Sequence, residues 1–247
     1  MMDEVSGKVI VVTGTGAGMG RATALLLGSR GAKVIAADIS GGEEETAKQI
    51  GEFGVPVHCD VRDEGQVEKL LKTAIDRFGR LDAVLNVAGF GIPSMLADAD
   101  MADFDRMFDV DLKGVVHGTK HAIRAMSDFG GGVILNWSSN AFMGAAPMWG
   151  MYSAAKAGVI SITKAAAVEY GPMGIRANVI APGTISTEGV AGMPPQMAEA
   201  ELAKIPAGRF GEMNEVAELA SFLVSDRAAF INGAVIVIDG GKTAQLP

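Results

Sequence analysis

The fold of this 247-residue chain is decided by the stretch Lys8-Val9-Ile10-Val11-Val12-Thr13, which leads directly into Gly14-Thr15-Gly16-Ala17-Gly18-Met19-Gly20. The β-branched run predicts a strand that is buried on both faces, as in a parallel sheet. An alanine- and leucine-rich helix is predicted next, at residues 21–30. A strand, a glycine loop and a helix in this order are the context of a dinucleotide-binding turn, because the glycines and the helix N-terminus accommodate a pyrophosphate. Tight turns that bind nothing use the same glycines, whereas the absence of a following Lys-Ser/Thr pair excludes a P-loop.

Strand and helix patterns alternate along the rest of the chain with short connections. Further strands are predicted at residues 33–37, 55–59, 83–85, 132–137, 175–180 and 234–238. Helices are predicted at residues 43–53, 63–78, 104–127, 154–171 and 214–224, with Asp63 and Asn214 as N-caps and Gly79 as a C-terminal stop. No linker or repeat interrupts the pattern. We therefore expect an α/β fold: a single Rossmann-type domain over residues 1–247, with a doubly wound, seven-stranded parallel sheet and helices on both faces.

Composition narrows the possible partners. Hydrophobic residues make up 49% of the chain and the net charge is −8. With no basic run, this balance argues against nucleic acid and against an anionic membrane as partners. The single cysteine, Cys59, excludes a disulfide framework, and the acidic N-terminus does not resemble a signal peptide. No apolar run reaches the ~18 residues of a membrane span, so we expect a soluble cytoplasmic protein.

An aspartate follows the second predicted strand at the position where a cofactor contact is expected. Asp38 lies about twenty residues past the glycines, where a carboxylate binds the adenosine ribose hydroxyls. A solvated aspartate at a strand end is the alternative interpretation. No Arg or Lys lies within residues 15–18 or directly after Asp38, and such a cation is expected for a 2′-phosphate. The pattern therefore favours NAD over NADP.

Tyr152 and Lys156 lie four residues apart in a run of small residues. On a helix this spacing puts both side chains on one face. The lysine charge would favour the phenolate form of Tyr152 and so suit it to proton transfer. The alternative is a tyrosine and a lysine on a solvated helix face. Ser138 and Ser139 follow the fifth strand, at the edge where open α/β sheets bind their ligands.

Metal binding is not predicted. The acidic run formed by Asp98, Asp100, Asp103, Asp105, Asp109 and Asp111 lacks the glycine and the terminal glutamate of a calcium loop. His117 and His121 have the spacing of a metal pair, but the sequence between them lacks the glutamate of a zinc protease and offers no third ligand.

Taken together, the chain resembles the classical short-chain dehydrogenase/reductase family over essentially its whole length. Five elements carry the resemblance: Thr13-Gly14-x-x-x-Gly18-Met19-Gly20, Asn86-Val87-Ala88-Gly89 with one change from the family's Asn-Asn-Ala-Gly, Ser139, Tyr152-x-x-x-Lys156, and Pro182-Gly183-x-x-x-Thr187. They occur in the family's order and on the expected elements.

The resemblance implies an enzyme that interconverts a secondary alcohol and a ketone by hydride transfer with NAD. Tyr152 would be the general acid/base, Lys156 would hold the nicotinamide ribose and assist Tyr152, and Ser139 would orient the substrate oxygen. The cofactor-binding residues implied are Gly14, Ala17, Gly18, Met19, Asp38, Asp60, Val61, Asn86, Ala88, Gly89, Tyr152, Lys156, Ile185 and Thr187. Family members are usually tetramers, so a homotetramer is implied as well.

The chain departs from the family at Asp111, where the family's fourth catalytic residue is an asparagine. The asparagine helps to place a water that connects the lysine to solvent. An ionised Asp111 near Lys156 would weaken the lysine's effect on Tyr152. We expect an active enzyme whose oxidation is fastest at alkaline pH.

The segments expected around the nicotinamide carry apolar side chains. Phe90, Met143 and Trp149 would join Ser139 and Tyr152 in binding substrate. Residues 90–95 and 141–151 contain no cation of the kind that a carboxylate or phosphate would require, which favours an apolar or cyclic alcohol or ketone. The alternative is that several of these side chains belong to the core. Residues 188–206, which glycines and prolines divide into short pieces, are predicted to form a substrate lid.

Two other functions stay open. The first is a reductase of 3-oxoacyl thioesters from the same family, although such enzymes commonly use NADPH and Asp38 disfavours it. The second is a non-catalytic dinucleotide-binding protein on the same fold, which the presence of Ser139, Tyr152 and Lys156 argues against. A methyltransferase on a similar sheet would not need those three residues.

Overall fold

A seven-stranded parallel sheet forms the centre of the chain, which a computed structural model describes at residues 5–144 and 146–245. Its strands are β1 (Val9–Thr13), β2 (Lys33–Asp38), β3 (Gly54–His58), β4 (Ala83–Asn86), β5 (Gly132–Trp137), β6 (Ile175–Pro182) and β7 (Val235–Ile238). The strand order is β3-β2-β1-β4-β5-β6-β7. The predicted parallel, doubly wound sheet is confirmed. The order reverses between β1 and β4, which is where such sheets open a ligand crevice at their carboxyl edge.

Helices connect the strands and cover both faces of the sheet. They are α1 (Gly18–Ser29), α2 (Gly42–Ile50), α3 (Glu64–Phe78), α4 (Met101–Phe108), α5 (Val115–Ser127), α6 (Gly150–Tyr170), α7 (Glu188–Ala191), α8 (Pro195–Leu202) and α9 (Met213–Val224). Of the described residues, none belongs to a helix that is both long and apolar enough to cross a membrane.

The alternation of side chains along β1 divides the core into two layers. Val9 and Val11 pack with residues of α3, α5 and α6 on one face of the sheet. Ile10 and Val12 pack with residues of α1 and α9 on the other face. All four side chains are fully buried, and burial of each contributes about 1.5–3 kcal/mol. A continuous β-branched run predicts a central strand for this reason: neither face of β1 meets water.

The predicted helix over residues 104–127 is wrong in one respect. Met101–Phe108 and Val115–Ser127 are α-helices, but Asp109–Gly114 between them forms a π-helical turn. A π turn contains one more residue than an α turn, and such turns occur frequently at functional sites. Here the wide turn directs Asp111 into the interior, where its side chain is fully buried.

Several helix boundaries also differ from the prediction. Helices α1 and α6 begin three and four residues earlier than predicted, at Gly18 and Gly150. Residues 51–53 form a 3-10 turn rather than the end of α2. Asp63 caps α3 and Gly79 ends it with φ 79°, as predicted. The N-cap of α9 is Glu212 rather than Asn214, because Glu212 and Glu215 form a reciprocal capping box.

Candidate active site

A cavity of about 680 Å³ lies at the carboxyl edge of the sheet, at the β1/β4 switch point. It is lined by Gly14, Ala17, Gly18, Met19, Gly20, Ala37, Asp38, Ile39, Ser40, Cys59, Asp60, Val61, Arg62, Val87, Ala88, Gly89, Phe90, Arg106, Val110, Thr187, Glu188 and Gly189. Most of the cofactor-binding residues implied by the sequence line this one cavity. They come from loops that are far apart in the chain and meet because all the strands are parallel.

The glycine turn leaves an open anion site at the start of α1. The N-cap Ala17 provides no side-chain hydrogen bond, and the first turn of α1 contains no acidic residue. The first backbone N–H groups of the helix are therefore free to bind an anion. A Cβ on Gly14 would stand 2.9 Å from the backbone of Ala88, so a larger residue would push the β1 and β4 loops apart.

Asp38 lies at the end of β2 with both carboxylate oxygens bound to backbone groups. Oδ2 accepts a hydrogen bond of 2.9 Å from Gly16 N, and Oδ1 accepts one of 2.8 Å from Ser40 N. These bonds hold the carboxylate beside the glycine turn on the cavity wall. The lone pairs that remain on its oxygens suit the hydroxyl donors of a ribose.

Asp60 and Arg62 form a tight pair beside Asp38. The Arg62 guanidinium hydrogen-bonds both carboxylate oxygens, with Nη2 2.6 Å from Oδ2. This hydrogen bonding holds the pKa of Asp60 below its usual range. The neighbouring Cys59 is buried, and burial raises the pKa of its thiol to about 12, so the thiol stays neutral and unreactive.

Tyr152 lies on the first turns of α6 between an indole and an ammonium group. The Trp149 ring centroid is 5.5 Å from that of Tyr152, with the two rings at 73°. Lys156 Nζ lies 5.6 Å from the centroid of the Tyr152 ring. The tyrosine is half-buried and the lysine is buried. The interpretation of the pair as two side chains on a solvated helix face is therefore wrong.

Lys156 forms a buried ion pair with Asp111. Lys156 Nζ is 2.7 Å from Asp111 Oδ1 and donates a hydrogen bond of 3.2 Å to the carbonyl of Trp137. Asp111 Oδ1 makes this close contact with Lys156 but is not aligned to accept a hydrogen bond from it. Asp111 Oδ2 accepts a hydrogen bond of 3.3 Å from Phe90 N. Burial raises the pKa of Asp111 despite the lysine. Burial opposes the charged form of Lys156, but the charges of Tyr152 and Asp111 outweigh it and leave the lysine pKa raised.

The end of β5 is hydrogen-bonded to α6 near the same point. Ser138 donates a hydrogen bond of 2.7 Å to the carbonyl of Lys156. Ser139, the next residue, accepts a hydrogen bond of 3.2 Å from Ala141 N at its hydroxyl oxygen. The hydroxyl proton of Ser139 is left to donate to a ligand.

Gly89 and Gly91 lie where the cavity wall approaches Lys156 and Tyr152. A Cβ on Gly89 would overlap Asp111 Oδ1 and come within 3.0 Å of Lys156 Nζ. A Cβ on Gly91 would overlap the Trp149 ring and lie 3.3 Å from Tyr152 Cδ2. Because Gly89 lines the cavity, Lys156 lies directly behind this part of the cavity wall. Tyr152 lies beside Lys156.

Some residues implied by the sequence lie away from the cavity wall. Among the described residues, Asn86 and Ile185 do not line it. The Asn86 amide is buried and donates a hydrogen bond of 2.7 Å to Asn136, so it joins β4 to β5. The Ile185 side chain packs in the core. The role of both residues in cofactor binding stays a prediction, and the backbone of both segments lies at this edge of the sheet.

The residues predicted to bind substrate have different surroundings. Phe90 lines the cavity beneath Arg106, whose guanidinium carbon is 5.5 Å from the ring centroid. Met143 is 52% exposed on the 3-10 turn after Ser139. The exposed position of Met143 contradicts a core role for this side chain.

Sequence reasoning missed Arg106 and Val110 on the cavity wall. It placed Gly91 and Glu188 only within the longer segments 90–95 and 188–206. Val110 directly precedes Asp111 and therefore enters the cavity from the same π turn. None of these residues carries a local sequence signal. The two histidines with the spacing of a metal pair have other partners: His117 Nδ1 lies 3.0 Å from the Val61 carbonyl oxygen, and His121 Nε2 lies 3.0 Å from Glu64 Oε1.

These features fit a dinucleotide. A strand-end carboxylate and the unpaired N-terminus of α1 line the cavity, and Gly89 on its wall adjoins the buried Lys156. A Cβ on Gly20 would overlap the carbonyl of Gly14, so the glycine at this position lets α1 pack closely against the turn, as in dinucleotide-binding turns.

The chain belongs to the classical short-chain dehydrogenase/reductase family. A family model described as enoyl-(acyl carrier protein) reductase matches residues 14–243. The chain is 42% identical over 243 residues to a cis-4-hydroxycyclohexanecarboxylate dehydrogenase of Sinomonas cyclohexanicum, covering 96% of this chain and 97% of the relative. It is 37% identical over 242 residues to a 3-oxoacyl-(acyl-carrier-protein) reductase of Thermotoga maritima, covering 96% and 98%.

A solved structure agrees with the sequence relatives. The crystal structure of levodione reductase matches with a TM-score of 0.92 at 34% identity, covering 98% of this chain and 99% of that one. The chain is therefore an oxidoreductase that acts on CH–OH groups with a nicotinamide cofactor.

Proposed function

We propose that the protein is an NAD-dependent dehydrogenase that interconverts a secondary alcohol and a ketone, with an apolar or cyclic substrate. The observation that carries the proposal is the position of Tyr152: it lies against Gly91, between Trp149 and the buried Lys156. A proton donor and acceptor beside a dinucleotide cavity is what alcohol oxidation requires.

Asp38 supports the preference for NAD. Its carboxylate is fixed on the cavity wall by Gly16 N and Ser40 N. A 2′-phosphate on the adenosine ribose would meet this negative charge, whereas the two hydroxyls of NAD would donate hydrogen bonds to it. The nearby Arg62 is engaged with Asp60, which leaves its guanidinium less able to bind a phosphate.

In this reaction a bound nicotinamide would supply the hydride acceptor for oxidation and the hydride donor for reduction. Tyr152 as phenolate removes the proton of the alcohol oxygen, and as phenol it returns a proton to the ketone oxygen. Ser139 donates its free hydroxyl proton to the same oxygen and orients it. Lys156 holds the ribose, and its net effect on Tyr152 depends on Asp111.

The relatives support a cyclic substrate. One relative is named for a hydroxylated cyclohexane substrate. Trp149 offers apolar surface beside Tyr152, and Met143 is exposed on the turn after Ser139. That substrate also carries a carboxylate, and Arg106 on the cavity wall is the cation nearest to Phe90 among the described contacts. A substrate panel should therefore contain neutral and carboxylated rings.

The proposal is tested by measuring turnover of cyclohexanols with and without a carboxylate, linear secondary alcohols, sugars and 3-oxoacyl thioesters, each with NAD(H) and NADP(H). We expect the cyclic alcohols and NAD to give the highest kcat/KM. Tyr152→Phe is expected to lower kcat about 10²–10⁴-fold while NADH still binds. Unchanged turnover by Tyr152→Phe would remove the mechanism.

A 3-oxoacyl thioester reductase is the second candidate. The 37% identity to such an enzyme over 96% of the chain favours it. Exclusive reduction of thioesters with NADPH would establish this function in place of the first.

A further inference from the structure

Gly91 lies against the aromatic rings of Trp149 and of Tyr152, the proposed general acid/base. A Cβ at this position would overlap the six-membered ring of Trp149 and touch Tyr152 Cδ2 at 3.3 Å. The backbone of Gly91 has no positive φ, so an alanine is compatible with its conformation. The restriction at Gly91 therefore comes from the two rings and not from the backbone.

Trp149 is held against Tyr152 by the loop that precedes it. Met148 is the only described non-glycine residue with a positive φ, at 70°. Its carbonyl accepts a hydrogen bond of 2.9 Å from Ser94 N, and Trp149 N donates one of 3.1 Å to the carbonyl of Ala146. A left-handed methionine is unfavourable by about 1–3 kcal/mol and persists where its surroundings fix it. Residues 91–94 therefore help to hold Trp149 in place.

We propose that Gly91 and Trp149 together determine substrate specificity, with Gly91 acting through the position of Trp149. This inference rests on the proposed function of Tyr152. The missing side chain at Gly91 lets the indole stand at 73° to the tyrosine ring, with the two ring centroids 5.5 Å apart. A rigid apolar wall at that point favours a compact ring over a flexible chain, because a preorganised ligand loses less conformational entropy when it binds.

An alanine at position 91 would displace the indole ring of Trp149. The indole ring cannot keep its place beside an added methyl group, so it must rotate or move away from Tyr152. We expect Gly91→Ala to lower kcat/KM for the preferred cyclic alcohol about tenfold, mainly through KM, and to change kcat/KM for a linear secondary alcohol less than about twofold.

Gly144 provides a matched control on the loop between Ser139 and Trp149. Its backbone is extended, with φ −164°, and a Cβ there would meet no described atom within 4 Å. Gly144→Ala makes the same chemical change as Gly91→Ala without touching an aromatic ring. We expect its kinetics to stay within about twofold of wild type.

The test combines steady-state kinetics with tryptophan emission of the ligand-free protein. The chain has two tryptophans, and Trp137 is buried and common to all variants. A change in the emission or acrylamide quenching of Gly91→Ala, absent in Gly144→Ala, would show that Trp149 has moved. Trp149→Leu is the second variant: it should lose the preference for cyclic over linear alcohols and retain NADH binding.

The outcomes separate this inference from the proposed function. If both alanine variants match wild type in emission and in the cyclic-to-linear ratio, or if Trp149→Leu retains that ratio, the inference is overturned. If wild type turns over no alcohol, the proposed function fails, and the emission comparison still decides whether Gly91 positions Trp149. Should Gly91→Ala fail to fold, Trp149→Leu alone decides.

Discussion

At the scale of single residues, the pair formed by Asp111 and Lys156 distinguishes this protein from the family pattern. The carboxylate and the ammonium are both buried and 2.7 Å apart. The ion pair therefore brings a compensating negative charge close to Tyr152, where an asparagine would leave the lysine charge uncompensated. Gly89 is part of the same arrangement, because a Cβ there would overlap the carboxylate.

The charge of Asp111 leads to a prediction about pH. Negative charge beside Lys156 offsets the positive charge that assists removal of the alcohol proton, so oxidation should require more alkaline conditions. Replacing Asp111 with Asn removes this charge at nearly the same volume. We expect the pH at which the oxidation rate rises to fall by about one unit in Asp111→Asn.

The measurement is the pH dependence of kcat for alcohol oxidation in both proteins. Asp109→Asn is the control, because Asp109 lies on the same π turn but pairs with Lys113 on the surface. Superimposable profiles for wild type and Asp111→Asn would contradict the role of this charge. A similar shift in Asp109→Asn would assign the effect to overall charge instead.

At the scale of secondary-structure elements, the predicted lid meets the anion site of α1. Residues 188–206 contain α7 and α8 rather than an irregular segment. Glu188, the first residue of α7, lines the cavity, and its carboxylate lies 3.9 Å from the place of a Cβ on Gly18. At the other end of the segment, Glu201 accepts a hydrogen bond of 2.6 Å from Thr184 and pairs with Lys242. Opening is therefore expected at α7 and the turn after it.

The position of Glu188 predicts its effect on cofactor binding. A carboxylate near the N-terminus of α1 competes with a pyrophosphate for the same positive end of the helix dipole. Glu188→Gln should therefore bind NADH about 2–5-fold more tightly, and the difference should shrink at high salt. Titration of NADH fluorescence measures both effects. The exposed lid residue Glu199 gives the control Glu199→Gln, and equal affinities in all three proteins would disprove the competition.

At the scale of the whole molecule, apolar surface is concentrated where α6 ends. Phe230 is fully exposed, and Val168 and Met173 are 79% and 47% exposed. Asn232 donates a hydrogen bond of 3.1 Å to the carbonyl of Ala167, which joins the Phe230 segment to α6. The neighbouring edge strand β7 is only half-buried along its whole length. Such surface is typical of a face that another subunit covers.

We expect a homotetramer in solution, with this apolar face buried between subunits. Phe230→Asp places a charge on the face and should reduce the assembly to a smaller species. Light scattering during size-exclusion chromatography measures the mass of both proteins. Phe129→Asp, at an exposed apolar residue after α5, controls for added charge. A wild-type monomer, or a Phe230→Asp tetramer, would contradict this assignment of the interface.

The resemblance to a known family implied many of the residues at the cavity. The sequence by itself determined the sheet and the glycine turn. These are carried by local patterns: β-branched runs such as Val9–Thr13 have to be buried on both faces, and turns such as Gly14 to Gly20 need residues without Cβ atoms. Spacing also placed Tyr152 and Lys156 on one helix face. Each of these inferences needs only neighbours in the chain, which is why it can be made without a structure.

Only the tertiary structure decided how the site is tuned. Three contacts bring together segments that are distant in sequence: Asp111 on the π turn with Lys156, Gly91 with Trp149, and Glu188 with Gly18. The structure also shows that the side chains of Asn86 and Ile185, two residues that the resemblance assigns to cofactor binding, pack in the interior. Burial and close contact depend on how whole elements pack, and no local pattern encodes the distance between two loops.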